Sequence, residues 1–248
     1  MSADLIEIRE RLRYQLSKIE SLEKDLTNYA GESIIFRREH NGDAIVGGTD
    51  DGEYFSLFAV MMAPVPISVR ADAGLIANEL RSCLDALACV LATRNLKSPK
   101  STYFPISKTK CVFFDDGVKK LRNISIADQH YIMSIKPYGG GNSVLYGLHE
   151  IDRTRKHTRL GVWATGSSVE FFAGERPYQA TFDTLNTHLT DVGVEVRIAA
   201  GTAPKFASIG GKVIIGWESP EEVQGVMASA FLSKAHDAIS AIVRRFDK

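Results

Sequence analysis

Apolar residues return every seven positions along the first thirty residues of the chain. Leu5, Leu12, Ile19 and Leu26 form one set, and Ile8, Gln15, Leu22 and Tyr29 form the interleaved one. An a/d pattern over nearly four heptads predicts one helix over 4–30, stopped at Gly31. Such a stripe lies either on the protein's own core or in a self-association seam, and Gln15 at a core position fits both. The seam reading makes the chain a homodimer through residues 5–29, with 1–30 as the oligomerisation element.

The period then shortens. Ser33 to Glu39 and Ala44 to Gly47 flank the tight-turn dipeptide Asn41-Gly42, and Glu53 to Met61 reads as a third strand closed by Pro64 and Pro66. An antiparallel meander follows from that spacing. Residues 71–95 return to helical spacing, with Ile76, Leu80, Cys83, Leu84, Leu87 and Leu91 on one side and Leu75, Ala86, Cys89 and Val90 on the other. A helix apolar nearly all round is expected at the centre of the molecule. Arg81 and Asp85, four apart on its flank, are the exceptions, and the spacing predicts that they pair.

Residues 101–124 read as irregular, with short strands at Tyr103 to Ile106 and at Cys111 to Phe114. A helix over Ile126 to Ile135 follows, capped by Ser125 and ended by Pro137. Gly139, Gly140 and Gly141 lead into a helix over 142–159. Beyond it, Leu160 to Ala164, Ser168 to Ala173, Val192 to Ala200 and Lys205 to Trp217 have strand composition, the last folded into a hairpin at Gly210-Gly211. Ser219-Pro220-Glu221-Glu222 has the form of a helix start, and that helix runs to about Phe246. The fold class expected is α+β: a central apolar helix and further helices packed on an antiparallel sheet or meander, preceded by a long heptad helix. With no repeat, low-complexity tract or linker, 1–248 reads as one domain.

Composition narrows the function classes. Thirty basic residues cancel thirty acidic ones among 248, so bulk charge gives no pull toward nucleic acid or anionic lipid, although a local basic patch stays open. Cys83, Cys89 and Cys111 match neither a disulfide framework nor a zinc site, and read as free thiols in a reducing compartment. The N-terminus lacks a signal-peptide h-region, and the most apolar run, Phe55 to Ala63, is too short to span a bilayer. A soluble, cytoplasmic protein is expected, with no membrane partner, metal or cofactor.

Gly139-Gly140-Gly141 before a helix invites a phosphate-loop reading, but Asn142-Ser143-Val144 supplies no Walker lysine, and Val144 stands where a dinucleotide fingerprint needs its third glycine. A flexible connector is the expectation, with helix-start amides able to hold an anion. The helix itself is more informative. Val144, Leu145, Leu148 and Ile151 define its apolar face, and the same helical wheel carries Asp152, Arg155 and Arg159 onto it, with His149, Arg153 and Lys156 on one flank. Charges carried inward must pair or face a cleft.

Four segments carry a resemblance: Asn78-Glu79-Leu80-Arg81-Ser82-Cys83-Leu84-Asp85, Tyr103-Phe104-Pro105-Ile106, Ile135-Lys136-Pro137-Tyr138, and Asp152-Arg153-Thr154-Arg155-Lys156-His157. Over residues 70–160 they resemble a group of uncharacterised bacterial and phage-associated proteins, which implies a phage, mobile-element or defence origin. More faintly, the helix carrying Arg81 resembles the HEPN superfamily, whose metal-independent ribonucleases use Arg, four to six residues, then His. Here Ala86, Leu87 and Ala88 stand at the histidine positions, so any imidazole would come from His149 or His157.

Three readings stand. The chain is a binding or regulatory protein with a polar cleft on the helices 71–95 and 142–159, formed by Arg81, Asp85, Asp152, Arg153 and Lys156, its ligand a phosphate-containing molecule or RNA. Alternatively it is a ribonuclease in which His157 or His149 is the general acid/base beside the arginines. Or it is a structural subunit assembling through its N-terminal helix.

Overall fold

The structure is a computed structural model. It describes residues 2–33, 62–155, 215–217 and 219–247 in full, and the backbone alone of residues 34–41, 54–61, 156–157, 162–173, 176–180, 187–190, 193–199 and 208–214.

Six helices organise the part described in full: α1 (Ile6–Ser33), α2 (Ile67–Arg94), α3 (Lys110–Asp115), α4 (Ile126–Ser134), α5 (Ser143–His157) and α6 (Ala228–Arg245). The heptad stripe forms one face of α1, and Leu5, Ile8, Leu12, Gln15, Ile19, Leu22, Leu26 and Tyr29 are all buried within this single chain. They pack on α2 and α6. The argument for a dimer seam drawn from these residues therefore lapses, since their apolar surface is already covered.

α2 is the central element. Twelve of its residues are buried, and it is covered by α1, α5 and α6. Three neighbours explain why it is apolar nearly all round. α6 contributes Phe231, Leu232, Ala235, Ile239, Ile242 and Val243 to the same core.

The expected α+β class is corrected here. Of the residues described in full, 72% are helical, with one short strand and no sheet. The helices bury their stripes on one another, so the core is helix on helix rather than helices on a meander. Elsewhere the backbone traces β1 (Ile34–Asn41), β2 (Tyr54–Met61), β3 (Val162–Ala173), β4 (Arg176–Ala180), β5 (Thr187–Thr190), β6 (Gly193–Ala199) and β7 (Ser208–Trp217), which pair among themselves in the orders β1-β2-β6-β5 and β4-β3-β7.

Several local expectations also change. Cys111 to Phe114 lies within α3, not a strand. Tyr103 to Ile106 is irregular and belongs to no strand. Val162–Ala173 is one strand bulged near Gly166 rather than two, and Gly210-Gly211 sits inside β7 opposite Glu170 and Val169 instead of turning a hairpin. The expected strand Ala44 to Gly47 lies outside the described residues. Ser219-Pro220 does not start the last helix. Glu221–Val223 makes one 3-10 turn, Gly225 takes φ +77°, and α6 begins only at Ala228.

The two ends of the described chain meet at the last turn of α2. Arg94 donates to both carboxylate oxygens of Asp4 at 2.7 Å, to the Phe246 carbonyl at 2.7 Å and to Ser2 Oγ at 2.7 Å. That guanidinium holds the Asp4 carboxyl well below the usual carboxylate range. Among the described residues, no helix is long and apolar enough to cross a membrane.

Placing Glu at Leu12 and Ile19 together puts two carboxylates into a core where these side chains are at most 4% exposed. Each charge must be desolvated unpaired, a cost of several kcal/mol, roughly. The double variant should lose its cooperative urea transition. A variant that stays folded and merely changes its sedimentation would restore the seam reading.

Candidate functional site

Arg81 and Asp85 occupy successive turns of α2 and pair as their spacing requires, Nη1 donating to Oδ1 at 2.8 Å. The pair also holds a third party. Arg81 Nη2 donates to the Phe104 carbonyl at 2.8 Å, and the Phe104 N–H donates to Asp85 Oδ1 at 2.9 Å. Two side chains thus satisfy both backbone groups of one buried residue that lies in no strand. Arg81 is 11% exposed and Asp85 34%.

The chain that leaves this clamp docks on the turn before α5. Ser107 N–H donates to the Pro137 carbonyl at 3.1 Å, and Gly139 N–H donates to the Ser107 carbonyl at 3.1 Å. The three glycines are no flexible connector. A Cβ at Gly139 would stand 2.3 Å from the Lys108 carbonyl oxygen, and one at Gly141 would stand 2.4 Å from that of Lys136. Gly140 takes φ +80°, which glycine alone adopts without strain. Asn142 Oδ1 then accepts the Leu145 N–H at 3.1 Å, which uses one of the helix-start amides that an anion would need.

Along α5, Leu145, Tyr146, Leu148 and Ile151 are buried, as are two carboxylates, Glu150 and Asp152, each 5% exposed. Asp152 Oδ1 accepts from Asn78 Nδ2 of α2 at 2.8 Å, with Arg155 at 3.9 Å. Glu150 Oε2 accepts from Arg153 Nε at 3.0 Å and from Arg153 Nη2. Arg153 itself is 61% exposed. His149 is half-buried, and its pKa is lowered first by burial and then by the Arg81 guanidinium, with Glu150 and Asp152 opposing. Tyr146 bonds Glu222 and lies near Glu150, and its pKa is raised by burial and by these carboxylates.

The polar cleft expected from the sequence is thus a polar layer between α2 and α5. Arg81, Asp85 and Asp152 are brought into it, with His149 in electrostatic reach of Arg81, while Arg153 points outward. The side chains of Lys156 and His157 lie outside the described residues, as does Arg159. Sequence reasoning missed Asn78, although it sits in the quoted motif, and it missed Glu150 and the Phe104 backbone. Asn78 is three before Arg81 on the same helix, which was the available signal. Among the described residues no group of His, Cys, Asp and Glu is placed to hold a metal ion.

No family model, curated protein or solved structure matches the chain.

Two outcomes test the layer. Asp85→Ala removes the carboxylate under Arg81 and strands the Phe104 N–H, so unfolding free energy should fall by about 3 kcal/mol. A loss below about 0.5 kcal/mol in urea melts would place the pair in solvent. His149 binds its proton less readily folded than unfolded. As pH falls below its ordinary value of 6.5, the unfolded chain takes up more protons and stability drops. His149→Gln should flatten that part of the stability–pH curve, and an unchanged slope would show that the imidazole titrates normally.

Proposed function

We propose that the chain is a binding protein of regulatory type that takes a phosphate-bearing ligand at the outer edge of the α2/α5 layer. The observation that supports this is the division of the arginines. Arg81 is 11% exposed and committed to Asp85 and Phe104, whereas Arg153 is 61% exposed above the buried carboxylate of Glu150. A buried guanidinium with its donors engaged is a structural group. An exposed one, steadied from below by Glu150, can turn its remaining donors to an anion and exchange carboxylate for phosphate. Lys156, one turn further along α5, would add a second charge. A phage or defence origin rests on the motif resemblance alone, and a cytoplasmic setting belongs to the same proposal, supported by three free thiols.

One observation favours the ribonuclease reading. His149 stands within reach of Arg81 and is held toward its neutral form, the form a general base needs. The two bonds that fix Arg81 weigh against it, because a transition-state phosphate would have to displace them.

In a thermal-shift screen of nucleoside mono-, di- and triphosphates, at least one should stabilise the protein. Arg153→Ala with Lys156→Ala should abolish that stabilisation, and His149→Ala should leave it. Metal-independent cleavage of labelled RNA in chelator, lost by more than about 10²-fold in His149→Ala or His157→Ala, would establish the ribonuclease instead.

A further inference from the structure

The segment between α2 and α5 is basic in a chain that is otherwise balanced. Residues 95–142 contain eight lysines and arginines against three aspartates, in a protein whose thirty basic and thirty acidic residues cancel. Lys100, Lys108, Lys110 and Lys136 are exposed. Two aromatic side chains from the same segment are exposed among them, Tyr103 at 53% and Phe114 at 50%.

Contacts within the fold tie parts of this segment to one another. Phe114 packs edge-on against Phe113 with ring centroids 5.3 Å apart, and Phe113 lies 5.4 Å from Tyr138, two residues beyond Lys136. The Lys108 carbonyl abuts Gly139 in the same turn, and Lys110 opens α3. Residues 103–107 connect this cluster to Lys100, with Phe104 clamped on α2 and Thr102 Oγ1 accepting from Asn123 Nδ2 at 3.0 Å. Exposed cations with exposed rings among them along the same segment match a strand of phosphates whose bases are free to stack. An acidic protein surface would meet the cations but leave the rings unused, and a duplex hides its base faces.

We propose that the α2–α5 connector is a binding surface for single-stranded nucleic acid, with Lys100, Lys108, Lys110 and Lys136 on the phosphates and Tyr103 and Phe114 as stacking platforms. It does not depend on the ligand assigned to the outer edge of the polar layer between α2 and α5.

Fluorescence anisotropy of a labelled twenty-nucleotide poly-dT, titrated with the full chain at several salt concentrations, tests it. Lys108→Glu, Lys110→Glu and Lys136→Glu together should weaken binding at least about tenfold and reduce the salt dependence. Tyr103→Ala with Phe114→Ala should weaken it about fivefold or more at unchanged salt dependence. Lys18→Glu with Lys24→Glu, exposed on α1, should change nothing. Should the triple variant lose its circular dichroism, single Lys→Gln variants that each lower the salt slope by about one serve in its place. The proposal is overturned if wild type fails to bind at low salt, if the α1 variant loses as much affinity, or if duplex DNA or polyglutamate binds as well while the aromatic variant is unaffected.

Discussion

The grip of Arg81 and Asp85 on the backbone of Phe104 is the constraint on which the middle of the molecule depends. Buried backbone normally finds its hydrogen bonds in a helix or a sheet, and among the described residues no strand pairs with residues 104–106. α2 supplies them instead, from two side chains one turn apart. Fixing Phe104 fixes Ser107, Ser107 bonds the turn at Pro137 and Gly139, and that turn sets where α5 begins. Residues 78–85, 103–106 and 135–138 are therefore joined in space. They hold each other, which accounts for their residue types before any ligand is invoked.

The same dependence explains the polar layer. α5 carries Glu150 and Asp152 on its inner side, where an unpaired carboxylate would be costly. Each has a fixed partner: Asn78 reaches Asp152 from α2, and Arg153 folds back over Glu150 from the surface. His149 feels both the Arg81 cation and these two carboxylates, and burial with the cation outweighs the anions. The layer is thus close to electrically settled at neutral pH with the imidazole uncharged.

Much of the helical part was legible. The heptads of α1, the all-round apolarity of α2, the Arg81–Asp85 spacing and the Ser125 cap are local periodicities, and the structure contains each of them. What misled was information that is not local. The run Cys-Val-Phe-Phe at 111–114 is as apolar as a strand, and only the Thr109 cap on the Val112 N–H, with Phe113 buried, selects the helix. Ser219-Pro220-Glu221-Glu222 has every residue of a helix start, yet the bonds from Trp217 to Gly225 and Val226 pull the chain into a turn first. The α+β reading failed because strand composition at 33–61 and 160–217 says nothing of which element covers which, and the helices cover one another.

A net charge of zero misinformed in a related way. It is a sum over the whole chain, and electrostatic recognition depends on charge within about a Debye length, roughly 10 Å at moderate salt. The connector between α2 and α5 carries its basic surplus on a segment tied down at Phe104, Ser107 and Tyr138. Most of the acidic residues that cancel it lie outside residues 95–142 in the sequence. The local field is set by the fold, and the total hides it.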